Sequence, residues 1–383
     1  MLTRRCGTLL RMTDMPIGGS VAPGFEPVTD AFRRCFEEMG ETGAAVGGYH
    51  LGQQVVDLWA GEAAPGAPWS RDTIVHVYSV TKPFAATCLL RLVDAGDIDL
   101  DAPVARYWPG FAQAGKSGVL VRWLLTHQAG LMGIRRPLPA EAFFDHERIV
   151  RALEREEPWW PPGTRHGEHA SFFGHLVGEV VRRVDGRTLG TYLREEIAAP
   201  LGLDFHVGLT LDDIERCATV LAIDDDWSAT TLGEPGSMYE QALGNPPGLL
   251  DLDVVNGEPW RRAEIPAVNG HGSARAVARF YAALSEGGTL DGVTVLREAT
   301  VREMASVQCS GPDVLLGDDV SWGLGVGVDE HGFGMGGLGG AYGGGDLTRR
   351  FGFGYVTAAM ADHARVELTA DTFEACVDRL AQA

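Results

Sequence analysis

The sequence has no excess of basic residues and no long apolar run. Its 383 residues include 32 Lys and Arg against 52 Asp and Glu, which gives a formal net charge of −20 at pH 7. Binding to nucleic acid or to an anionic membrane surface requires basic patches, so we expect neither partner. No stretch reaches the roughly 18 apolar residues that a transmembrane helix needs. These absences favour a soluble, acidic protein.

Cysteine is scarce and dispersed. The six cysteines form no C-x-x-C pair and no short-spaced framework, which favours reduced thiols and a cytoplasmic location. Residues 1–13 carry three arginines around a short Leu9-Leu10 pair. They lack the run of about 7 to 15 apolar residues found in a secretory signal. We therefore expect residues 1–23 to form a loose N-terminal extension.

Several motifs for catalysis and ligand binding are also missing. No G-x-S-x-G occurs, which argues against an α/β-hydrolase nucleophile elbow. The glycine run at 343–345 lacks the lysine and the strand-to-helix context of a phosphate-binding loop. The stretch HGEH at 166–169 departs from the helical H-E-x-x-H spacing of zinc enzymes. We therefore predict no cofactor and no metal site.

The stretch SVTK at 79–82 carries the most informative pattern. It places a hydroxyl and an amine three residues apart, directly after an apolar, strand-like run at 73–78. Residues i and i+3 share a helix face, a helix N-terminus favours negative charge, and Pro83 suits a first helical turn. Ser79 is therefore a candidate nucleophile and Lys82 a candidate base. The same four positions also fit an ordinary serine N-cap followed by a solvated lysine.

Further motifs accompany this pattern in order and spacing. They are VVDLWAG at 55–61, GDIDLDAPV at 96–104, LLTHQAGL at 124–131 and GHGSA at 270–274. With them, the chain resembles the class C β-lactamase-like serine hydrolases over roughly residues 24 to 360, especially their esterase and transesterase branch. The resemblance implies an acyl-enzyme mechanism on a small-molecule substrate.

The order of patterns predicts an α+β protein, and the resemblance implies a β-lactamase/D-amino-peptidase-like fold. We expect an antiparallel sheet flanked by helices, built from residues 24–99 and 291–383, with a mostly helical lobe inserted over 100–290. The predicted strands are 44–49, 54–59, 322–328, 337–342 and 351–356, and the predicted helices are 147–156, 172–184, 189–197, 273–286 and 370–380.

Position 168 departs from the family pattern. In the esterase branch a tyrosine serves as second acid/base after a Trp-x-Pro-Gly turn, whereas here Glu168 follows WPPG at 160–163. A phenol titrates near pH 10, but a carboxyl group titrates near pH 4 and would hold Lys82 protonated. Glu168 is therefore a general base, acting directly or through a water, or a partner that locks Lys82, or a solvated loop carboxylate.

The family strand beside the nucleophile reads GMGGLGG at 334–340. The resemblance places an oxyanion hole at the backbone N–H groups of Ser79 and Leu338. Met335 replaces the Lys or His that would hold a substrate carboxylate, which favours a neutral or apolar substrate, although methionine also fills core gaps. The other candidate substrate-binding residues are Gly336, Gly337, Trp160, His169 and Tyr342.

Three functions remain open. The first is hydrolysis of a neutral or apolar ester or amide through Ser79 and Lys82. The second is acyl transfer or transesterification on the same scaffold, with Glu168 in place of the usual tyrosine. The third is a catalytically silent binding scaffold. The presence of both Ser79 and Lys82 favours an enzyme.

Overall fold

An antiparallel sheet of ten strands forms the centre of the structure, a computed structural model that describes residues 16–382. In chain order the strands are β1 (Gly18–Val21), β2 (Gly43–His50), β3 (Gln53–Ala64), β4 (Ala67–Pro68), β5 (Val75–His76), β6 (Phe205–Val207), β7 (Leu221–Ala222), β8 (Gly270–Gly272), β9 (Thr289–Leu290), β10 (Val293–Thr294), β11 (Cys309–Pro312), β12 (Asp319–Trp322), β13 (Gly327–Asp329), β14 (Gly332–Gly337), β15 (Ala341–Asp346), β16 (Phe351–Thr357) and β17 (Ala359–Met360). The large sheet has the order β1-β3-β2-β16-β15-β14-β13-β12-β11, with β4 paired to β3.

Helices cover both faces of this sheet and fill the middle of the chain. They are α1 (Glu26–Glu38), α2 (Thr81–Ala95), α3 (Val121–Leu125), α4 (His146–Arg155), α5 (Phe173–Asp185), α6 (Leu189–Leu193), α7 (Ala199–Leu201), α8 (Leu211–Glu215), α9 (Trp227–Leu232), α10 (Met238–Leu243), α11 (Leu252–Asn256), α12 (Glu258–Arg262), α13 (Ala274–Ser285), α14 (Glu298–Met304) and α15 (Ala364–Ala381). This architecture confirms the predicted α+β class with its antiparallel sheet.

The sheet separates two hydrophobic cores. Helices α1 and α15 pack together over one face, where Phe32, Phe353 and Phe373 are buried. Helix α13 packs on the other face against β2, β15 and β16. A Cβ at Gly352 would collide with the backbone of α13 at Ala282, so glycine permits this close approach.

Two predicted boundaries need correction. Strand β1 pairs with β3, so residues 18–21 belong to the sheet, and residues 1–15 of the predicted extension lie outside the described residues. Helix α13 packs on the sheet, although the predicted division placed it in the helical lobe. The remaining division into lobes stays a prediction.

Two predicted strands are each interrupted by a turn. The predicted strand 322–328 is interrupted at Gly325, and the predicted strand 337–342 at Gly339 and Gly340. All three glycines have positive φ, which reverses the chain direction in a way that an extended strand does not. A glycine-rich apolar run is typical of both arrangements, so the sequence pattern did not separate them.

Helix α2 lies between the sheet and the helical region, in contact with β14 on one side and with α5 and α6 on the other. Most of its residues are buried, and it ends at Gly96, whose φ of 85° provides a left-handed C-cap. The start of α2 therefore sits where the two parts of the protein meet. No helix among residues 16–382 is long and apolar enough to cross a membrane.

Candidate active site

The turn that carries Ser79 connects β5 to α2. Tyr78, immediately before it, has a φ of 45°, a left-handed conformation that is costly for a bulky residue. Thr81 holds this turn, because its hydroxyl donates to the Tyr78 carbonyl (2.5 Å) and accepts the N–H of Gly270 (2.8 Å). The turn places Ser79 at the wall of a cavity, two residues before α2 begins.

Lys82 lies on the first turn of α2 and is completely buried. Its Nζ lies 2.6 Å from Ser79 Oγ, 3.0 Å from Glu168 Oε1 and 3.4 Å from the Ala267 carbonyl. Three acceptors match the three hydrogens of an ammonium group. Burial lowers the pKa of Lys82 below its ordinary value, and the charge and hydrogen bond of Glu168 oppose that effect.

Glu168 lies in a segment without regular secondary structure, and its side chain is only 12% exposed. His127 fixes the residues on either side, since its carbonyl accepts the N–H of Gly167 (3.1 Å) and its Nδ1 accepts the N–H of His169 (3.0 Å). The Glu168 N–H donates to Asp313 Oδ1 (3.2 Å). The segment thus directs Glu168 toward Lys82, and the interpretation as a solvated loop carboxylate is wrong.

A cavity of about 480 Å³ opens beside Ser79. Its wall combines residues from six separate parts of the chain. They are Ser79, Glu168, Ala170, Tyr239, Leu243, Val268, Leu316, Asp319, Val320, Ser321, Trp322, Gly327, Val328, Asp329, Gly334, Met335, Gly336, Gly337, Leu338, Tyr342 and His363. Aromatic and aliphatic side chains dominate this set, so the cavity suits an organic ligand with few polar groups.

The resemblance implied an oxyanion hole at two backbone N–H groups, and this assignment stays a prediction. Ser79 and Leu338 both line the cavity, and neither N–H donates to an acceptor within residues 16–382. A Cβ at Gly337 would collide with the Val77 carbonyl and crowd Val80, so glycine lets β14 lie against the nucleophile turn. This arrangement offers two donors to a developing oxyanion.

A family model described as Beta-lactamase matches residues 32–375. The chain belongs to the beta-lactamase family. Among curated proteins it is similar to "Esterase/beta-lactamase LipL" of Mycobacterium tuberculosis, with 35% identity over 90% of this chain and 85% of that protein. Among solved structures it is similar to a family VIII carboxylesterase, with 36% identity, a TM-score of 0.87, and coverage of 94% of this chain and 100% of that one. A penicillin-binding protein homologue from Caulobacter crescentus shares 34% identity at a TM-score of 0.84, with coverage of 94% and 100%.

Within this beta-lactamase family member, four predicted substrate-binding residues line the cavity: Met335, Gly336, Gly337 and Tyr342. Trp160 and His169 do not line it, which corrects their predicted role. Trp160 is 6% exposed and donates its indole N–H to the Arg165 carbonyl (3.0 Å). His169 is completely buried against the His127 ring, whereas Glu168 lines the cavity.

Sequence reasoning missed Tyr239, Leu316 and His363 as cavity residues, and it named Trp322 only as part of a strand. Burial raises the pKa of Tyr239 to about 12, and the Glu168 charge adds to this effect, so this phenol stays protonated near neutral pH. No local motif marks these positions. They approach Ser79 only through the tertiary fold.

Only two of the chain's 32 basic residues are lysines, Lys82 and Lys116, and both are completely buried. Lys116 donates to the carbonyls of Glu154 (3.0 Å) and Glu156 (2.5 Å), and burial lowers its pKa to about 8. Within residues 16–382 no group of His, Cys, Asp and Glu side chains is arranged to hold a metal ion.

Proposed function

We propose that this protein is a serine ester hydrolase in which Ser79 attacks the carbonyl carbon of a neutral or apolar ester. One observation carries the proposal: Lys82 Nζ lies 2.6 Å from Ser79 Oγ and 3.0 Å from Glu168 Oε1 at the wall of a cavity. The esterase and carboxylesterase relatives, each at least 35% identical, support the same reaction class.

Acylation begins with a proton shift from Lys82 to the Glu168 carboxylate across the 3.0 Å contact. The neutral amine then accepts the Ser79 proton while Oγ forms a bond to the carbonyl carbon. The N–H groups of Ser79 and Leu338 stabilise the oxyanion. Collapse of the intermediate expels the alcohol, which takes the proton from Lys82, and Glu168 returns its own proton to the amine.

Deacylation uses the same two groups in the other order. The Glu168 carboxylate accepts a proton from water as the water oxygen attacks the acyl carbon. Ser79 Oγ leaves and takes a proton from the Lys82 ammonium, which already donates to it in the structure (2.6 Å). The Glu168 proton then moves to Lys82. Lys82 and Glu168 thereby return to their starting charges, and the acyl group is released as a carboxylic acid.

The charge of the cavity supports a substrate without a carboxylate. Three carboxylates, those of Glu168, Asp319 and Asp329, line the cavity, and no Lys or Arg among the described residues does so. An anionic substrate would meet repulsion here without a compensating cation. This agrees with the replacement of the usual charged or polar residue by Met335, and it disfavours a β-lactam or a peptide C-terminus.

Acyl transfer to an alcohol is a second candidate. Trp322, Leu316 and Leu243 form an apolar wall of the same cavity, and such a wall favours an organic acceptor over water. Both candidates pass through the same acyl-Ser79 intermediate. They differ in the product that forms when an alcohol is added to the reaction.

Intact-protein mass spectrometry after exposure to a serine-reactive phosphonate and to a panel of p-nitrophenyl esters tests the proposal. We expect a single adduct, assigned to Ser79 by peptide mapping and missing in Ser79→Ala. Added alcohol distinguishes the two candidates, since a new ester among the products indicates transfer. A folded wild-type protein that forms no adduct with any of these reagents would favour the silent scaffold.

A further inference from the structure

Asp313 is a buried carboxylate between β11 and β12, 2% exposed. Its Oδ1 accepts the backbone N–H groups of Glu168 (3.2 Å), Leu315 (2.9 Å) and Leu316 (3.0 Å). Its Oδ2 accepts the indole N–H of Trp322 (3.0 Å). The Asp313 side chain therefore contacts the segment that contains Glu168 and two residues of the cavity wall, Leu316 and Trp322.

The side-chain contacts of Asp313 among residues 16–382 are hydrogen bonds from uncharged N–H groups. Asp313 forms no ion pair with any described residue, so neutral N–H donors alone stabilise its charge. A second connection joins the same two segments, because the N–H of Val314 donates to the His166 carbonyl (3.0 Å) and a ring nitrogen of His166 lies 3.1 Å from the Gly311 carbonyl. Several hydrogen bonds therefore hold the loop that contains Asp313 against the segment that contains Glu168.

We propose that Asp313 is a positioning residue that holds Glu168 against Lys82 and aligns Trp322 and Leu316 as the adjacent wall of the substrate cavity. The proposal rests on the proposed function, because it takes Glu168 as a working base. His127 fixes only the residues before and after Glu168. Asp313 is the acceptor for the Glu168 N–H itself.

The test compares the titration of Lys82 in the wild type with that in Asp313→Asn. An amide has one oxygen, so its NH₂ group must face either the indole N–H or the three backbone N–H groups, and one set of contacts is lost. We expect the pKa of Lys82 to fall to a value between those in the wild type and in Glu168→Gln, because Glu168 raises it. NMR of protein labelled with ¹³Cε-lysine resolves this titration, with Lys116 as the internal reference.

Turnover supplies the second measurement. A displacement of about 1 Å in a catalytic group costs up to about 100-fold, so we expect kcat to fall by about 10- to 100-fold. Asp318→Asn is the matched control, since Asp318 is an exposed carboxylate of the same loop and its side chain forms no hydrogen bond with a described residue. Trp322→Phe removes the indole donor and reduces the size of a cavity-wall side chain but keeps the contact of Asp313 with the Glu168 N–H, so it should raise KM and leave the Lys82 titration unchanged.

A folded Asp313→Asn variant in which Lys82 titrates as in the wild type would overturn the proposal. If Asp313→Asn does not fold, Asp313→Glu, which keeps the charge and moves the acceptor atoms, must lower the pKa of Lys82, and an unchanged titration overturns the proposal equally. Failure of the proposed function would give a different result. In that case Glu168→Gln would keep the full turnover of the wild type, independently of the result for the Asp313 variants.

Discussion

Replacement of Glu168 by glutamine should separate acylation from deacylation. The substitution keeps the shape of the side chain and removes a charge 3.0 Å from Lys82 Nζ. Two unit charges at that distance attract by about 5 kcal/mol at an effective dielectric constant of about 20. Lys82 is completely buried and Glu168 is 12% exposed, so solvent screens this attraction only weakly. Loss of the charge therefore lowers the pKa of Lys82 and increases its neutral form near pH 7.

The two kinetic steps respond in opposite directions. Acylation needs the neutral amine, so kcat/KM near neutral pH should be maintained or rise. Deacylation loses its base, and a positioned general base contributes about 10²- to 10⁴-fold, so kcat should fall by that factor. The acyl-enzyme then accumulates, and KM falls along with kcat.

Stopped-flow release of p-nitrophenolate from a short p-nitrophenyl ester measures both steps. We expect an initial burst of about one equivalent per site, followed by slow steady-state release, with an acylated protein visible by mass spectrometry. The pH dependence of kcat/KM should shift toward lower pH, as the Lys82 titration does. Unchanged steady-state turnover together with an unchanged Lys82 titration would refute the assigned role of Glu168.

Three further predictions follow from the same structure. Ser79→Ala should abolish acyl-adduct formation and change the free energy of unfolding by no more than about 1 kcal/mol, which mass spectrometry and urea unfolding measure; retained turnover of an activated ester would exclude Ser79 as nucleophile. Glu168→Tyr restores the family's phenol beside Lys82, so its kcat on short p-nitrophenyl esters should exceed that of Glu168→Gln by about 100-fold or more, and equal rates would show that the phenol does not act there. Burial lowers the pKa of His175 and His271 to about 3, so the unfolded state binds more protons below about pH 6.5. Stability should then decrease from about pH 6.5 toward pH 3 by up to about 1.4 kcal/mol per pH unit for each histidine, and a flat dependence of the urea midpoint on pH would contradict this.

Local patterns predicted the parts of the site that are local. Ser79 and Lys82 are three residues apart, so helix geometry alone brings their side chains together. The position of Glu168 near Lys82 came from the family resemblance, in which the WPPG turn at 160–163 aligns Glu168 with the tyrosine of the esterase branch. The long helices α4, α5 and α13 were predicted within one residue at each end, because their apolar spacing is strong.

The substrate cavity was less predictable. Tyr239, Trp322 and His363 come from segments far apart in the sequence, and no periodic pattern indicates that they share one wall. The direction of a side chain in an irregular segment is equally hidden, and this explains why His169 was misplaced beside a correctly placed Glu168. The composition of the cavity wall and the direction of these side chains both depend on tertiary packing, which overrides local preference.

The burial of both lysines has a practical consequence for chemical modification. Reagents that acylate exposed ε-amino groups find none on the surface of residues 16–382, and the sequence contains no third lysine. An electrophile shaped to enter the cavity meets Ser79 first, because Ser79 lines the cavity and the completely buried Lys82 behind it does not. Activated esters of that shape are therefore expected to modify Ser79, while both lysines of the folded protein stay unmodified.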